Sequence, residues 1–273
     1  MKLKVYGCRG SIPFCQNSQY GGNTACIALE SKGQIIFLDA GSGIINFDLS
    51  EDWYKDSTIK NKYFDIFLSH LHIDHILGLA TFKYLWDPQS HVRLYTIDRG
   101  GGTLKEQIFA TFASPYWPIP IALTSDVECI ELQEDMPYSL GSFTIIPFEA
   151  PHPNKTTSFY ITDGSIRIVY LLDSEISLLD ENKYTKLVAF CRNADLVIFD
   201  AAYSPEDYLS RKGWGHSTIE DGIKLAQLSG CKRLMFDHFS FDYNDSQIEM
   251  LDKIAQSKGD NFIFAREGLE MTL

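Results

Sequence analysis

Short apolar runs, each bounded by polar residues or glycine, recur along the whole 273-residue chain. They are rich in Val, Ile, Phe and Tyr, and most are too short for helices, so the pattern predicts β-strands. Several runs are apolar throughout, which is typical of strands that are covered on both faces. The predicted strands are 3–6, 25–29, 35–38, 64–68, 92–96, 143–148, 158–162, 166–172, 196–199, 234–236 and 262–265.

The order of the predicted elements indicates how these strands combine. The early strands follow one another in hairpin-like succession, whereas the later strands alternate with helical segments. This order favours an α/β fold in which two sheets pack face to face with helices outside, four layers in all. No low-complexity linker or plain repeat interrupts the chain, so residues 1–273 are predicted to form a single domain.

Capping patterns predict where helices begin. The segments Ser217–Glu220 and Thr103–Glu106 each have Ser or Thr followed three residues later by Glu, which is a capping box, and Ser217 is the predicted N-cap of the first. Two further helices are predicted, one capped by Asn244 or Asp245 and closed by Gly259, and one running from about Asp74 to about Leu85.

The composition limits the compartment and the partners. A net charge of −12 works against partners that are bound through many phosphate contacts, so long nucleic acid is disfavoured. No apolar run approaches the ~20 residues of a membrane span, and the start of the chain reaches Gly7 too soon for a signal peptide. A cytoplasmic protein with free thiols is expected, because none of the cysteines forms a C-x-x-C pair. They are Cys8, Cys15, Cys26, Cys129, Cys191 and Cys231.

The segment 69–78, Ser-His-Leu-His-Ile-Asp-His-Ile-Leu-Gly, places four metal-ligand side chains directly after a predicted strand. His70 and His72 are two positions apart, so their side chains can point the same way at a strand end. Asp74 and His75 follow on the turn into the predicted helix and can face a second point nearby. Imidazole and carboxylate together suit Zn²⁺, Mn²⁺ or Fe²⁺, so this hexad predicts ligands for two adjacent divalent ions.

Other predicted strand ends supply more donors. His152 follows the run 143–148, Asp173 follows the run 166–172, and His238 follows the run 234–236. A single Asp or His at a strand end is ordinary. Their joint occurrence with an H-x-H-x-D-H hexad points to one metal centre.

These residues resemble those of the metallo-β-lactamase superfamily of metal-dependent hydrolases, and the resemblance runs nearly end to end, from Gly7–Pro13 through Leu38–Gly41 to His238. It implies an αβ/βα sandwich with a dinuclear site between the sheets. It also implies that Asp39 supports the site from behind the ligands, although a simple strand-end cap is the alternative. The resemblance assigns His70, His72 and His152 to one metal ion, Asp74, His75 and His238 to the second, and Asp173 to both.

The segment Gly215-His216-Ser217-Thr218 suggests a branch of that superfamily. His216 precedes a predicted helix N-terminus, which attracts anions, so it could contact a phosphate or protonate a leaving group. A surface-loop histidine is the alternative. The segment resembles the phosphodiesterase branch, which includes ribonuclease Z and the cyclic phosphodiesterase of phosphonate breakdown, and in that branch the equivalent histidine is catalytic.

Two departures from ribonuclease Z bear on the substrate. Ala201 stands where that enzyme has a Glu paired with the catalytic histidine, and Asp200 is the candidate to take its place. Bacterial ribonuclease Z also inserts a long arm between the third His and the bridging Asp to grip tRNA, whereas residues 153–172 leave no room for one. Together with the net charge, this disfavours tRNA 3′-processing.

The sequence therefore predicts a dinuclear phosphodiesterase that acts on a small phosphodiester, such as a cyclic nucleotide or a short nucleotide. Asp74 and His216 are the predicted catalytic residues. Asp74 would accept a hydrogen bond from the attacking water, and His216 would stabilise phosphoryl oxygens or protonate the leaving alkoxide. Zn²⁺ and Mn²⁺ are equally compatible with the ligands, and Fe²⁺ is a further option.

Three other classes remain as alternatives. A thioester or lactone hydrolase could use the same metal core but would not need His216. A di-iron redox module would usually need a flavin-binding partner domain, for which this chain has no residues left. A non-catalytic protein that kept the fold is disfavoured, because a decayed site should have lost at least one ligand.

Two segments leave their roles open. The aromatic side chains of Phe109, Phe112, Tyr116 and Trp117 could form a lid that stacks on a base, pack in the core, or make a homodimer contact. Gly100-Gly101-Gly102 could cradle a phosphate or form a flexible turn.

Overall fold

The structure is a computed structural model that describes residues 1–14, 16–51, 54, 62–97, 100–121 and 126–273, so Cys15 lies outside the described residues. The described strands, in chain order, are β1 (Lys2–Gly7), β2 (Cys26–Ser31), β3 (Gln34–Leu38), β4 (Tyr63–Phe67), β5 (His91–Ile97), β6 (Asp126–Leu132), β7 (Tyr138–Leu140), β8 (Phe143–Ala150), β9 (Thr156–Thr162), β10 (Arg167–Leu171), β11 (Leu196–Asp200), β12 (Leu234–Asp237), β13 (Phe262–Phe264) and β14 (Glu270–Thr272). The α-helices are α1 (Ile73–Ile76), α2 (Leu104–Thr111), α3 (Glu181–Phe190), α4 (Pro205–Arg211), α5 (Ile219–Ser229) and α6 (Asp245–Gln256).

The strands form two seven-stranded sheets with the same internal pattern. The first sheet has the order β14-β1-β2-β3-β4-β5-β6, antiparallel from β14 to β3 and parallel from β3 to β6. The second has the order β13-β12-β11-β10-β9-β8-β7, parallel from β13 to β10 and antiparallel from β10 to β7.

Alternation along the strands of the first sheet produces two apolar layers. Leu38 and Phe67 lie in the core between the sheets, and the Phe67 ring meets Phe159 of β9 with the ring centroids 5.8 Å apart. Phe37 and Ile66, one position earlier in each strand, lie in a second cluster on the outer face. Helices α5 and α6 contact the second sheet, whereas α2 contacts the first. The predicted four-layer αβ/βα sandwich is confirmed.

Each predicted strand is present with its ends shifted by a few residues, and β6, β7 and β14 were not predicted. The capping box at Thr103 and the Asn244 cap are confirmed. Helix α6, however, ends at Gln256, before Gly259, and the Gln256 amide donates to the carbonyl of Phe262 (2.9 Å). Helices α3 and α4 were missed.

Two helix predictions were wrong in detail. The N-cap of α5 is Thr218, which forms a capping box with Asp221, whereas the Ser217 hydroxyl donates to the carbonyl of Ser174. The predicted helix from Asp74 to Leu85 is only the single turn α1, followed by two 3₁₀ turns. Gly78 explains the break, because its N–H donates to the Ala40 carbonyl (2.9 Å) rather than continuing a regular helix.

Candidate metal centre

Loops at the carboxyl ends of strands from both sheets meet at one edge of the sandwich. The hexad follows β4 of the first sheet, and His152, Asp173 and His238 follow β8, β10 and β12 of the second. Asp173 and His238 have positive φ angles of 46° and 63°, which turn the chain sharply just after each strand. Six of the seven histidines lie here, and His91 is the exception.

The first donor group consists of His70, His72, His152 and Asp173, whose ligand-type atoms all lie within 4.8 Å of one another. His72 Nδ1 lies 3.4 Å from His152 Nε2, and His70 Nε2 lies 3.6 Å from Asp173 Oδ2. His70 and Asp173 are buried, whereas His72 and His152 are half-buried and face a cavity.

The second donor group consists of Asp74, His75, Asp173 and His238, again with ligand-type atoms within 4.8 Å. Asp173 Oδ1 lies 3.1 Å from His75 Nε2 and 3.0 Å from His238 Nε2. Asp74 Oδ2 lies 3.4 Å from His75 Nε2. Asp173 therefore directs one carboxylate oxygen toward each group, and the seven predicted ligand residues converge as two adjoining sets.

The chemistry of these donors fits divalent metal ions. His70 Nε2 is buried, and it has no hydrogen-bond partner in the described part of the chain. Such groups are costly in a folded interior unless something pairs with them. Burial, together with the neighbouring His75, also lowers the pKa of His70 well below its usual range, which keeps the imidazole neutral as a metal ligand must be.

Asp39 orients His75 from behind the site. Its carboxylate accepts hydrogen bonds from His75 Nδ1 (2.7 Å), from the Tyr170 hydroxyl (2.7 Å) and from the Ser69 backbone N–H (2.7 Å). Because Nδ1 is held in this way, Nε2 is the ring nitrogen that faces the donor group. Asp39 thus makes the contact with His75 that the expected supporting role requires, which a simple strand-end cap would not.

The two half-buried histidines have supports of their own. The His152 Nδ1 atom lies 3.0 Å from the Gly215 carbonyl, which makes that carbonyl the acceptor for an Nδ1–H. The side-chain amide of Asn154 lies 2.7 Å from His72 Nε2. Asn154 was not foreseen, since only its place two residues after His152 could have suggested it.

His216 lies beside both donor groups and is paired with a carboxylate. Its Nδ1 lies 2.9 Å from Asp200 Oδ2, and Asp200 also accepts from the backbone N–H groups of Ser174 (3.2 Å) and Ala202 (3.0 Å). Burial opposes a positive charge on His216, but the Asp200 carboxylate outweighs it and raises the pKa of His216. Asp200 is therefore the carboxylate that holds His216, and the neighbouring Ala201 is fully buried.

A third set of ligand-type atoms also lies within 4.8 Å of one another, and it consists of Asp173, Asp200, His216 and His238. In that set, the closest nitrogen and oxygen of His216 and Asp200 already pair with each other. His216 also stacks on the His238 ring, with the centroids 5.1 Å apart.

A buried carboxylate that the sequence did not reveal holds the segment before His216. Glu175 accepts hydrogen bonds from the backbone N–H groups of Gly213 (2.7 Å) and Gly215 (2.8 Å) and from the Tyr208 hydroxyl (2.7 Å). Its side chain is thus committed to the loop that carries His216. Its position two residues after Asp173 was the only available signal.

The two open segments differ in their relation to the donors. Phe112 is buried in the cluster outside the first sheet, with its ring centroid 6.1 Å from that of Trp117, and Tyr116 is exposed. None of them lines the cavity at the donor groups, so core packing is the role of Phe112. Gly100 lines a separate cavity of about 450 Å³ that reaches His70 and His72. No described helix has the length and apolar character that crossing a bilayer demands.

Comparison with known proteins bears directly on this arrangement. Residues 38–239, more than half of the chain, match the beta-lactamase superfamily domain family. The chain is 25% identical to the probable metallo-hydrolase YhfI of Bacillus subtilis, covering 87% of this chain and 86% of that protein. It is 20% identical to ribonuclease Z of Haloarcula marismortui, covering 99% and 96%.

Solved structures agree on the fold. The YhfI crystal structure superposes with a TM-score of 0.71 at 22% identity, covering 99% of this chain and 98% of that chain. A diphosphatase from the PhnP family superposes with a TM-score of 0.67 at 19% identity, covering 99% and 96%. Taken with the donor groups at the sheet ends, these matches show that this protein belongs to the metallo-β-lactamase superfamily of metal-dependent hydrolases.

Proposed function

We propose that this protein is a dinuclear-metal phosphodiesterase that acts on a small phosphodiester. The observation that carries the proposal is the His216–Asp200 pair, 2.9 Å apart, beside the two donor groups. A metal centre alone would serve many hydrolytic reactions. A carboxylate-held histidine at the same cavity adds a proton donor for an alkoxide leaving group, which phosphodiester cleavage requires.

The ligand assignment follows the two donor groups. When bound, the two divalent ions supply an activated water and neutralise charge that develops on the phosphoryl oxygens. Histidine and carboxylate donors favour Zn²⁺ or Mn²⁺. The proposed ligands are His70, His72, His152 and Asp173 for one ion, and Asp74, His75, His238 and Asp173 for the other.

Two residues of the chain are the proposed catalytic groups. The Ser11 backbone N–H donates to Asp74 Oδ2 (2.7 Å), which fixes this carboxylate so that it can accept a hydrogen bond from the attacking water. Asp200 holds His216 Nδ1, which leaves Nε2 as the free ring nitrogen. That nitrogen would hydrogen-bond a phosphoryl oxygen or give its proton to the leaving oxygen.

The short path from His152 to Asp173 argues for a small substrate. Strands β9 and β10 take up most of residues 153–172, so only tight turns remain and no arm projects there. The net charge of −12 also works against a long polyanion. A ribonuclease Z-like activity on tRNA is the second candidate, because relatives with that name match almost the whole chain.

The test is hydrolysis of bis(p-nitrophenyl) phosphate by protein that has been stripped with chelator and reloaded with Zn²⁺ or Mn²⁺. We expect turnover only after reloading. On 2′,3′-cyclic AMP, which has an alkoxide leaving group, His216→Ala should lower kcat by about 10²- to 10⁴-fold, the usual contribution of a general acid, with metal content unchanged. The fall on bis(p-nitrophenyl) phosphate should be smaller, because p-nitrophenolate leaves without being protonated. His91→Ala is the matched control, because this histidine stacks on Tyr63 away from the site and should leave kcat unchanged.

The outcomes separate the candidates. No turnover with either ion at verified two-metal occupancy would refute the phosphodiesterase and favour thioester or lactone substrates. Cleavage of a tRNA 3′ trailer, without cleavage of small diesters, would favour the second candidate. Unchanged kcat on 2′,3′-cyclic AMP in His216→Ala would remove this residue from the mechanism.

A further inference from the structure

An open cavity of about 380 Å³ lies over the donor groups, and its outer wall is aromatic. His72, His152 and Asp173 line its floor, while Tyr203 and Trp214 line its side. A phosphate held at the floor can direct an ester group along the side lined by Tyr203 and Trp214. These two residues are therefore placed to contact that ester group.

The two wall aromatics are in different situations. Tyr203 is buried, its ring packs edge-on against His216 with the centroids 5.7 Å apart, and the Arg211 guanidinium lies 4.9 Å from its ring centre. Trp214 is 57% exposed, and its indole makes no hydrogen bond or ring contact within the described residues. Its ring face is therefore available to a ligand that enters the cavity, and an aromatic face is a surface on which a planar group can stack.

The backbone around Trp214 is nevertheless fixed. Gly213 and Gly215, on either side of it, both donate to the buried Glu175 carboxylate (2.7 and 2.8 Å). The Trp214 N–H donates to the Arg211 carbonyl (3.0 Å). A bare ring on an anchored backbone is a preorganised surface, since less backbone freedom remains to be lost when a ligand packs on it.

Gly215 shows how closely this loop is fitted to the site. Its φ is +97°, and a Cβ at this position would lie 2.0 Å from His152 Nδ1. The loop therefore approaches the first donor group as near as a backbone can. Trp214 is placed by the same contacts that place a proposed ligand and His216.

Building on the proposed function, we propose that Trp214 stacks on the base of a nucleoside-bearing phosphodiester. A nucleobase is planar and presents a π-face, which is what an exposed indole beside a phosphate-binding floor can recognise. The residue is thus a specificity determinant of the substrate. Aliphatic phosphodiesters reach the same floor but have no ring for the wall to contact.

The test compares two five-membered cyclic phosphodiesters of similar intrinsic reactivity, 2′,3′-cyclic AMP and glycerol 1,2-cyclic phosphate. Hydrolysis by the metal-loaded protein is followed by phosphorus NMR. In Trp214→Ala, the ratio of kcat/KM for the first substrate to that for the second should fall at least about five-fold, because stacking contributes a factor of roughly 5 to 150 per base. The fall should appear in KM, and Trp214→Phe should keep the ratio within about three-fold.

Tyr116→Ala is the matched control, because Tyr116 is an exposed aromatic outside the cavity lining. It should leave the ratio unchanged. A readout without turnover uses the metal-loaded protein and adenosine 3′-monophosphate, which has no diester bond to cleave and should quench tryptophan fluorescence. Trp214→Phe should lose that quench although Trp53, Trp86 and Trp117 remain.

The outcomes distinguish failure of the stacking role from failure of the proposed function. An unchanged ratio in Trp214→Ala, or an equal fall in Tyr116→Ala, overturns the stacking role while leaving the phosphodiesterase intact. Turnover of glycerol 1,2-cyclic phosphate alone does the same. If neither cyclic substrate nor bis(p-nitrophenyl) phosphate is hydrolysed at full metal occupancy, the proposed function itself fails and the inference falls with it.

Discussion

The Asp200→Asn substitution removes one charge beside His216 and keeps the side-chain volume. Asp200 Oδ2 accepts from His216 Nδ1 and the Ser174 N–H, and Oδ1 accepts from the Ala202 N–H. Asparagine has only one acceptor oxygen. Either orientation of its amide therefore sets an NH₂ against a backbone N–H, and one orientation also leaves His216 Nδ1 without an acceptor.

The expected cost follows from the bond that is lost. A hydrogen bond to a charged partner contributes about 1.5–3 kcal/mol, which corresponds to a roughly 10- to 150-fold fall in kcat if the bond acts in the transition state. The loss should not exceed that of His216→Ala, because Asp200 acts through that histidine. The assay is turnover of 2′,3′-cyclic AMP, which has an alkoxide leaving group, at measured metal occupancy, with the melting temperature as a check on folding.

The double variant sharpens the test. In a His216→Ala background, Asp200→Asn should change kcat by less than about two-fold, since residues that act as a unit are not additive. A kcat within two-fold of wild type in the single variant would refute the reasoning. An equally large loss in both backgrounds would refute it too, and would mean that Asp200 acts on the metal centre directly.

Three further predictions rest on other contacts. Gly215→Ala should lower kcat at least about 10²-fold and reduce the amount of bound metal, because the added Cβ would clash with His152. Metal analysis of the purified variant measures the loss, and a normal metal stoichiometry would contradict the prediction. Tyr170→Phe should lower the free energy of unfolding by about 1–3 kcal/mol, because the buried Asp39 loses a hydrogen-bond donor. Tyr184→Phe should leave the free energy of unfolding unchanged, since no partner for that buried hydroxyl is found among the described residues. Urea unfolding of both metal-free variants distinguishes the two. Burial raises the pKa of four thiols, those of Cys8, Cys26, Cys191 and Cys231, and it raises the pKa of the half-buried Cys129 to about 11. Brief treatment of the native protein with a thiol reagent at pH 8 should therefore leave these five cysteines unlabelled, as followed by peptide mapping. Rapid labelling would contradict the described burial.

The donor residues could be predicted because each is marked by a short local pattern in the sequence. The hexad lies in one stretch, and His152, Asp173 and His238 each follow an apolar run, so their places at strand ends, together with the family resemblance, were enough to predict one site. Strand β6 was missed because its sequence, Asp126–Leu132, mixes charged and apolar residues as a partly exposed edge strand does.

The supporting contacts could not be read from the sequence, because they join distant positions. The Glu175 carboxylate accepts hydrogen bonds from Gly213 and Gly215, about 40 positions later, and no local sequence pattern predicts these contacts. The Ser217 cap was wrong for the same kind of reason. Both Ser217 and Thr218 have an acidic residue three positions later. Thr218 is the N-cap because the Ser217 hydroxyl is already hydrogen-bonded to Ser174 and Ile176.

The two donor groups draw on both halves of the sandwich, since the hexad belongs to the first sheet and His152, Asp173 and His238 to the second. Under the proposed assignment, each bound ion is therefore a cross-link between the sheets that the unfolded chain lacks. A free ion concentration 1,000 times the dissociation constant would add about 4 kcal/mol to the free energy of unfolding. Scarcity of the ion in the cell would then reduce the amount of this protein as well as its activity, because unfolded chains are the ones that are degraded.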